Sequence, residues 1–217
     1  MEKKTPFKEL SKEAKFQYIW DYYKIHIFVG IVAIIFIISM IVHYVTYKEP
    51  VLSINLINCP IDADSTDLDD YLDTFLKSEG YNTGKEKIDY ANNLYLDMDN
   101  PGNNAQDLMS LDMMVAAQSA NVIIADSKTF EGLAKRSYFI DVSSYLDEDT
   151  FEQYKDDIIY TTDSETNKSY PVGIHVTDAD NSFSAATKVY NDYVVGLCYS
   201  KDHSDAQKAF IDYLLEK

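Results

Sequence analysis

The chain has 217 residues, 46% hydrophobic and 25% charged, and its 36 acidic side chains against 19 basic ones give a net charge of −17. That composition excludes wholesale disorder and leaves room for one good domain, with or without an appendage. Residues 1–24 carry six lysines against four acids, whereas the chain from Tyr47 onward carries 13 bases against 32 acids, a net of −19. An acidic bulk of this kind argues against nucleic acid and anionic lipid headgroups as partners.

In the first 24 residues, Phe7, Leu10, Ala14, Tyr18 and Tyr22 recur at spacings of three and four, with Pro6 suited to a first turn. The pattern predicts a helix, either lying on the inner membrane surface or simply extending the apolar segment next to it. The second is preferred, because lysines beside an anchor already serve orientation. Ile25 to Val45 then runs 21 residues without Asp, Glu, Lys or Arg. As a helix it spans roughly 31 Å, which matches the hydrocarbon core of a bilayer. A transmembrane helix is predicted, with Trp20, Tyr22, Tyr23, Tyr44 and Tyr47 at its interfaces. The run is longer than a signal peptide's apolar stretch, and its bulky exit SMIVHYVTYKEP lacks a small-x-small cleavage site, so the anchor is read as retained. Cys59 in LINC is no lipid attachment site, since Asn58 stands where a small residue would be wanted. The lysines predict a cytoplasmic segment 1–24, an anchor at 25–45 and an extracellular domain at 46–217 of a cell-membrane protein.

After the membrane, Val51 to Ile57 reads as a strand closed by Pro60. A helix comes next from Ser65 or Thr66, with Leu68, Leu72 and Leu76 on one face and Gly80 at its stop. EKIDYANNLYLDM alternates as a strand or hairpin. A second helix enters through Asn103 or Asn104 with Leu108, Leu111 and Val115 inward, NVIIA is a buried strand, and SKTFEGLAKR is a third helix. This order predicts an α/β fold, a compact domain with helices on both faces of a mixed, mainly parallel sheet. In the tail, SYPVGIHV, SAATKVY and DYVVGLCYS are three apolar or alternating runs, with a hairpin connection through Asn191 and Asp192. Ser204 and Gln207 have the spacing of a capping box on a last helix whose Ala206, Phe210 and Leu214 share a face.

Chemistry-bearing patterns are sparse. DMDNPGNNAQDL places Asp97, Asp99 and Gly102 as a calcium loop would, but Pro101 and Leu108 spoil it, so a turn and helix cap are expected. His26 and His43 flank the membrane, and with His175 and His203 they form no HxxxH, HExxH or CxxC pattern, so neither metal nor cofactor is expected. No phosphate loop, dinucleotide fingerprint or G-x-S-x-G occurs, and His175 with Asp178 and a serine makes a triad only on paper. The expectation is no enzyme. Cys59 and Cys198 lie outside the membrane among apolar neighbours, read as free buried thiols, with a disulfide left open.

The segment DLMSLDMMVAAQSANVIIADSKTFEGLAKRSYFIDVSSYLDEDTFEQY, with SYPVGIHV, resembles extracellular solute-binding proteins of transport systems, the type II periplasmic-binding-protein fold. Asn121 to Ala125, Phe130 to Lys135, Tyr138 to Val142 and Tyr170 to Val172 match its strand, helix, turn and strand motifs, and VVGLCYSKDHSDAQKAFIDYLLEK its late strand and helix. The roughly 170 residues outside the membrane are too few for two lobes, and the missing insertion falls between Tyr170 and Tyr193. The resemblance implies a reduced, anchored domain that binds a small solute, a peptide or a protein partner beside a transporter or envelope complex. It also implies contacts at the strand-end loops: Asn58, Asp62, Gly102, Asn103, Asn104, Asp126 and Ser127, faced by Tyr170 and His175. The alternative is a structural or assembly subunit with no small ligand. For Asp126 and Ser127, a helix cap is the first reading and ligand contact the second.

Overall fold

The computed structural model describes residues 11–59, 66–163, 166–177, 181–188, 190 and 192–215. The chain divides into two units, Met1–Tyr47 and Lys48–Lys217.

In the first unit a single helix, α1, runs over Lys12–Thr46. Ser11 caps it, its side chain accepting from the Ala14 amide at 3.2 Å, and Tyr47 leaves it in an extended conformation. The expected apolar segment lies within α1, and residues 12–24 continue the same helix; Pro6, Phe7 and Leu10 lie outside the described residues. Within α1, Trp20–Thr46 is long and apolar enough to cross a membrane, and its large side chains, Phe28, Ile35 and Phe36 among them, are exposed.

The second unit begins with Glu49–Ile57 (β1), Thr66–Ser78 (α2), Glu86–Leu94 (β2), Ala105–Ala116 (α3), Val122–Ala125 (β3) and Ser127–Ala134 (α4). A 3-10 turn at Val142–Tyr145 leads to Glu148–Gln153 (α5), Ile158–Thr162 (β4), Ser169–Val176 (β5), Ser182–Thr187 (α6), Tyr193–Leu197 (β6) and Ser204–Leu215 (α7). The strands form one mixed sheet in the order β2-β1-β3-β6-β5-β4. β1 pairs in parallel with β2 and β3, while the β3–β6, β6–β5 and β5–β4 junctions are antiparallel. Hence β1, β2, β3 and β5 run one way, and β4 and β6 run the other.

Side chains alternate between two cores, as strand geometry demands. Leu52, Ile54 and Leu56 of β1, Ile124 of β3 and Val195 of β6 pack with Phe75 and Leu76 of α2, Phe183 of α6, and Phe210 and Leu214 of α7. On the other face Ile123, Ala125 and Val194 pack with Leu111 of α3 and with Phe130 and Leu133 of α4. All four residues of β3 are buried because helices cover both of its sides, which explains why NVIIA reads as an unbroken apolar run. In α2 the expected Leu68, Leu72 and Leu76 are buried, and Gly80 takes φ +80° so that the Tyr81 amide can reach back to the Leu76 carbonyl at 2.8 Å.

One close approach shapes the second core. Gly173 and Gly196 face each other across β5 and β6, and the Phe130 ring lies over both. A Cβ would sit 2.5 Å from Phe130 Cζ at Gly173 and 2.6 Å from it at Gly196. Phe130 in turn stacks on Phe139 with ring centroids 4.3 Å apart.

Three local expectations change. SAATKVY is no strand: Ser184 to Thr187 belong to α6, which Asn181 caps by accepting from the Phe183 and Ser184 amides. The small residues fit either period, and burial of Phe183 against Tyr71 and Tyr193 selects the helix. The hairpin expected through Asn191 and Asp192 is replaced by a connection through α6, with Asn191 itself outside the described residues. Gln207 completes no capping box, since its side-chain amide donates to the Asn121 and Cys198 carbonyls, both at 2.8 Å, inside the core. β4 and α5 have no counterpart among the expected elements. EKIDYANNL forms a single strand parallel to β1, with no hairpin.

Candidate functional site

Because β2 and β3 lie on opposite sides of β1, the carboxyl ends of β1 and β3 form the topological switch point, where open α/β sheets usually hold ligands. Asn58 stands there with φ 58°. Its Oδ1 accepts from the Leu96 amide at 2.7 Å, and its Nδ2 faces three acceptors, the Leu96 carbonyl (3.0 Å), Thr129 Oγ1 (3.0 Å) and Asp126 Oδ2 (3.1 Å). The side-chain amide is saturated and acts as a clasp between the ends of β1, β2 and β3. Asp126 caps α4 through Oδ1, which accepts from the Thr129 amide at 2.9 Å, as its position before SKTF leads one to expect. Burial alone would raise the Asp126 carboxyl, but hydrogen bonds from Thr129 and Asn58 outweigh it and hold the pKa below the usual range.

Tyr190 fills the remaining space. It is buried, its hydroxyl donates to the Ile57 carbonyl, and the Ile124 carbonyl lies 3.4 Å away. Burial, with a contribution from neighbouring Cys59, pushes its pKa upward, so the hydroxyl stays protonated and able to donate. Cys59 and Cys198 are both buried, and no disulfide joins them.

One step along the same edge, Ser127 Oγ lies 3.2 Å from His175 Nε2, and the Asp192 carboxylate meets that same nitrogen. A serine–histidine–aspartate relay uses the two ring nitrogens for different partners. Here Ser127 and Asp192 meet the same ring nitrogen, an arrangement that ties the start of α4 to the carboxyl end of β5 and to the residue that precedes β6. Asp178 lies outside the described residues.

The edge therefore gathers Asn58, Asp126, Ser127 and His175. Gly102 and Asn103 lie exposed in the turn before α3, and Asn104 occupies the N-cap position without a side-chain bond. Asp97 Oδ1 accepts from the Asp99 and Asn100 amides at 3.0 and 3.2 Å, so this loop is a turn of the Asx kind. An ion pair between Asp99 and Lys128 joins it to α4. Tyr170 is at the amino end of β5, near the Phe139 carbonyl at 3.5 Å, and thus on the opposite edge of the sheet from His175. Asp62 lies outside the described residues. Thr129, Tyr190 and Asp192 join the site without having been expected there. Only Thr129 carries a local signal, its position three residues after a capping acid.

Beside His175 opens a cleft of about 320 Å³, lined by Gln153, Tyr154, Asp157, His175, Thr177 and Asn181. A second cleft, of about 370 Å³, lies among Ser78, Glu79, Asp205, Lys208, Asp212 and Tyr213. Among the described residues no group of three or more His, Cys, Asp or Glu is placed to hold a metal ion.

Away from this edge, Arg136 donates to both Asp112 oxygens at 2.9 and 2.8 Å and to the Tyr138 hydroxyl at 2.8 Å, while Tyr138 donates to Asp112. Burial and the Asp112 hydrogen bond push the Tyr138 hydroxyl up to about 12. An unfolded tyrosine releases its proton near pH 10, so this contribution to stability is intact below about pH 10 and is lost as pH rises toward about 12. Denaturation midpoints measured across that window should fall with pH, and less steeply in Tyr138→Phe.

Compared with models of known families, with curated proteins and with solved structures, the chain matches none.

Proposed function

We propose that the chain is a single-pass membrane protein whose extracellular α/β domain works by non-enzymatic binding at the cell surface, beside a transporter or another envelope complex. The observation that carries the reading is the apolar stretch Trp20–Thr46, 27 residues whose large apolar side chains stand exposed, joined to a folded and strongly acidic domain. At 1.5 Å per residue it spans about 40 Å, more than a bilayer core needs. The lysines ahead of it favour a cytoplasmic N-terminus. The reduced solute-binding-like character draws support from the α/β order and from the polar strand-end loops. Self-occupation of the switch point by Asn58 and Tyr190 moves the expected contact surface outward, to the cleft beside His175. The second reading, an assembly subunit with no small ligand, is favoured by that same self-occupation.

In expressing cells, the chain should stay with membranes through alkaline carbonate extraction. Protease added outside intact cells should remove the domain and spare an N-terminal tag. Release by carbonate, or a mature chain beginning after the apolar segment, would overturn the anchor. Loss of every thermal shift with sugars, peptides and amino acids, together with a co-purifying membrane partner, would select the assembly subunit.

A further inference from the structure

We propose that the cleft beside His175 binds a cationic group, an alkylammonium or guanidinium, through the Asp157 carboxylate and the ring of Tyr154. The inference rests on the binding reading above and names the chemistry of what is bound.

Asp157 is held from both sides by the backbone. Its amide donates to the Tyr154 carbonyl at 2.9 Å, and its own carbonyl accepts from the His175 amide at 2.8 Å, where β4 begins to pair with β5. The carboxylate therefore stands on a rigid frame and loses little freedom on pairing. Asp157 is half-buried, and among the described residues no donor meets its carboxylate. Tyr154 is oriented by its own hydroxyl, which donates to the Leu215 carbonyl at 3.3 Å, so a fixed aromatic ring borders the same hollow. A carboxylate beside an aromatic face is a recognised environment for a cation.

Among the described residues, no lysine or arginine lines this cleft. Its one basic side chain, His175, already gives Nε2 to Ser127 and Asp192. The second cleft differs on this point, because Lys208 stands among Glu79, Asp205 and Asp212 and supplies a cation from within the chain. Among the described residues, the hollow beside His175 is thus the one of the two with a carboxylate and no lysine or arginine. A volume of about 320 Å³ is at the small end for ligand sites, suited to one charged head with a few methylenes. Two sources supply such a head: a lysine or arginine side chain of a protein partner, or a free polyamine.

The test uses the full chain in nanodiscs of zwitterionic phosphatidylcholine, so that the lipid recruits no cation. Calorimetric titrations compare a capped lysine tripeptide, its norleucine counterpart and spermidine. Saturable binding of the lysine peptide or of spermidine is expected, at least tenfold weaker in Asp157→Asn and unchanged in Lys208→Ala. Stronger binding of the peptide assigns the site to a protein partner, and stronger binding of spermidine assigns it to a free polyamine. Tyr154→Leu removes the ring and should weaken binding, Tyr154→Phe keeps the ring without its hydroxyl anchor and should bind between Tyr154→Leu and the unaltered chain, and near-ultraviolet circular dichroism verifies the fold of each variant. Absence of saturable binding by both cations, or equal binding by folded Asp157→Asn, overturns the inference. Equal binding of the norleucine peptide overturns it too, while leaving the broader binding reading in place. Failure of the carbonate and protease experiments would strike the anchored reading without touching these titrations.

Discussion

Phe130→Ala should lower the unfolding free energy of the α/β domain by about 3–5 kcal/mol, the range seen when a buried aromatic is truncated and its cavity cannot close. The site leaves little room for collapse. Phe130 is 0% exposed, it stacks on Phe139, and it covers Gly173 and Gly196, which have no side chains to fill the space. The converse change is informative. Gly173→Ala forces a methyl group into the ring and into Val194 Cγ1, 2.9 Å from the new carbon, and should cost about 1–3 kcal/mol by overpacking. In the double variant the methyl group enters space that Phe130 has vacated, so the two losses should sum to less than their separate values. A coupling of at least about 0.5 kcal/mol in urea denaturation is expected for residues in contact. Strict additivity would contradict the packing of Phe130 on the glycine pair.

Asn58→Ala should cost about 2–4 kcal/mol, because several losses coincide: the Leu96 amide and carbonyl, Thr129 Oγ1 and Asp126 Oδ2 each lose a partner, and part-buried groups left unpaired carry a desolvation penalty. Alanine is also a poor occupant of φ 58°, where asparagine is tolerated and glycine is easy. Asn58→Gly should therefore recover about 1 kcal/mol relative to alanine while still lacking the clasp. Equal midpoints for the two variants would show that backbone strain contributes nothing there. A change smaller than about 0.5 kcal/mol in both would demote the clasp itself.

These two positions also mark how far the sequence can be read. The apolar helix is legible because its signal needs no partner: a run without charge, bounded by aromatics, is long enough by itself. NVIIA, the leucine face of α2 and the cap at Asp126 are legible for a related reason, since period and capping chemistry act within one or two turns of chain. SAATKVY misleads because short runs of small residues satisfy both periods, and the arbiter is Phe183 packing on Tyr71 and Tyr193. Gln207 has the spacing of a cap for its own helix terminus, although a more distant pair of carbonyls, those of Asn121 and Cys198, claims its amide. The candidate site is half legible. General α/β topology identifies the strand-end loops as neighbours, and it brings Asn58, Asp126, Ser127 and His175 to one edge. Tyr170 does not join His175 as expected, because the length of β5 separates them to opposite edges. Thr129 is within reach of the capping rule; Tyr190, Asp192 and the Asp157 frame are not.

The sequence alone determined the division into an apolar helix and an acidic domain, the run of strands and helices from β1 to α4, and the cap at Asp126, because hydropathy, charge and local hydrogen bonding are properties of neighbouring residues. Tertiary structure alone decided that the switch point is occupied by the chain's own side chains. A tyrosine finds the Ile57 carbonyl 133 positions away, and an asparagine finds an acid 68 positions away. It also decided which of two clefts, among the described residues, holds a carboxylate with no lysine or arginine beside it. Such pairings are made by sheet order and burial, which bring distant residues within hydrogen-bond reach and leave no trace in the spacing along the chain.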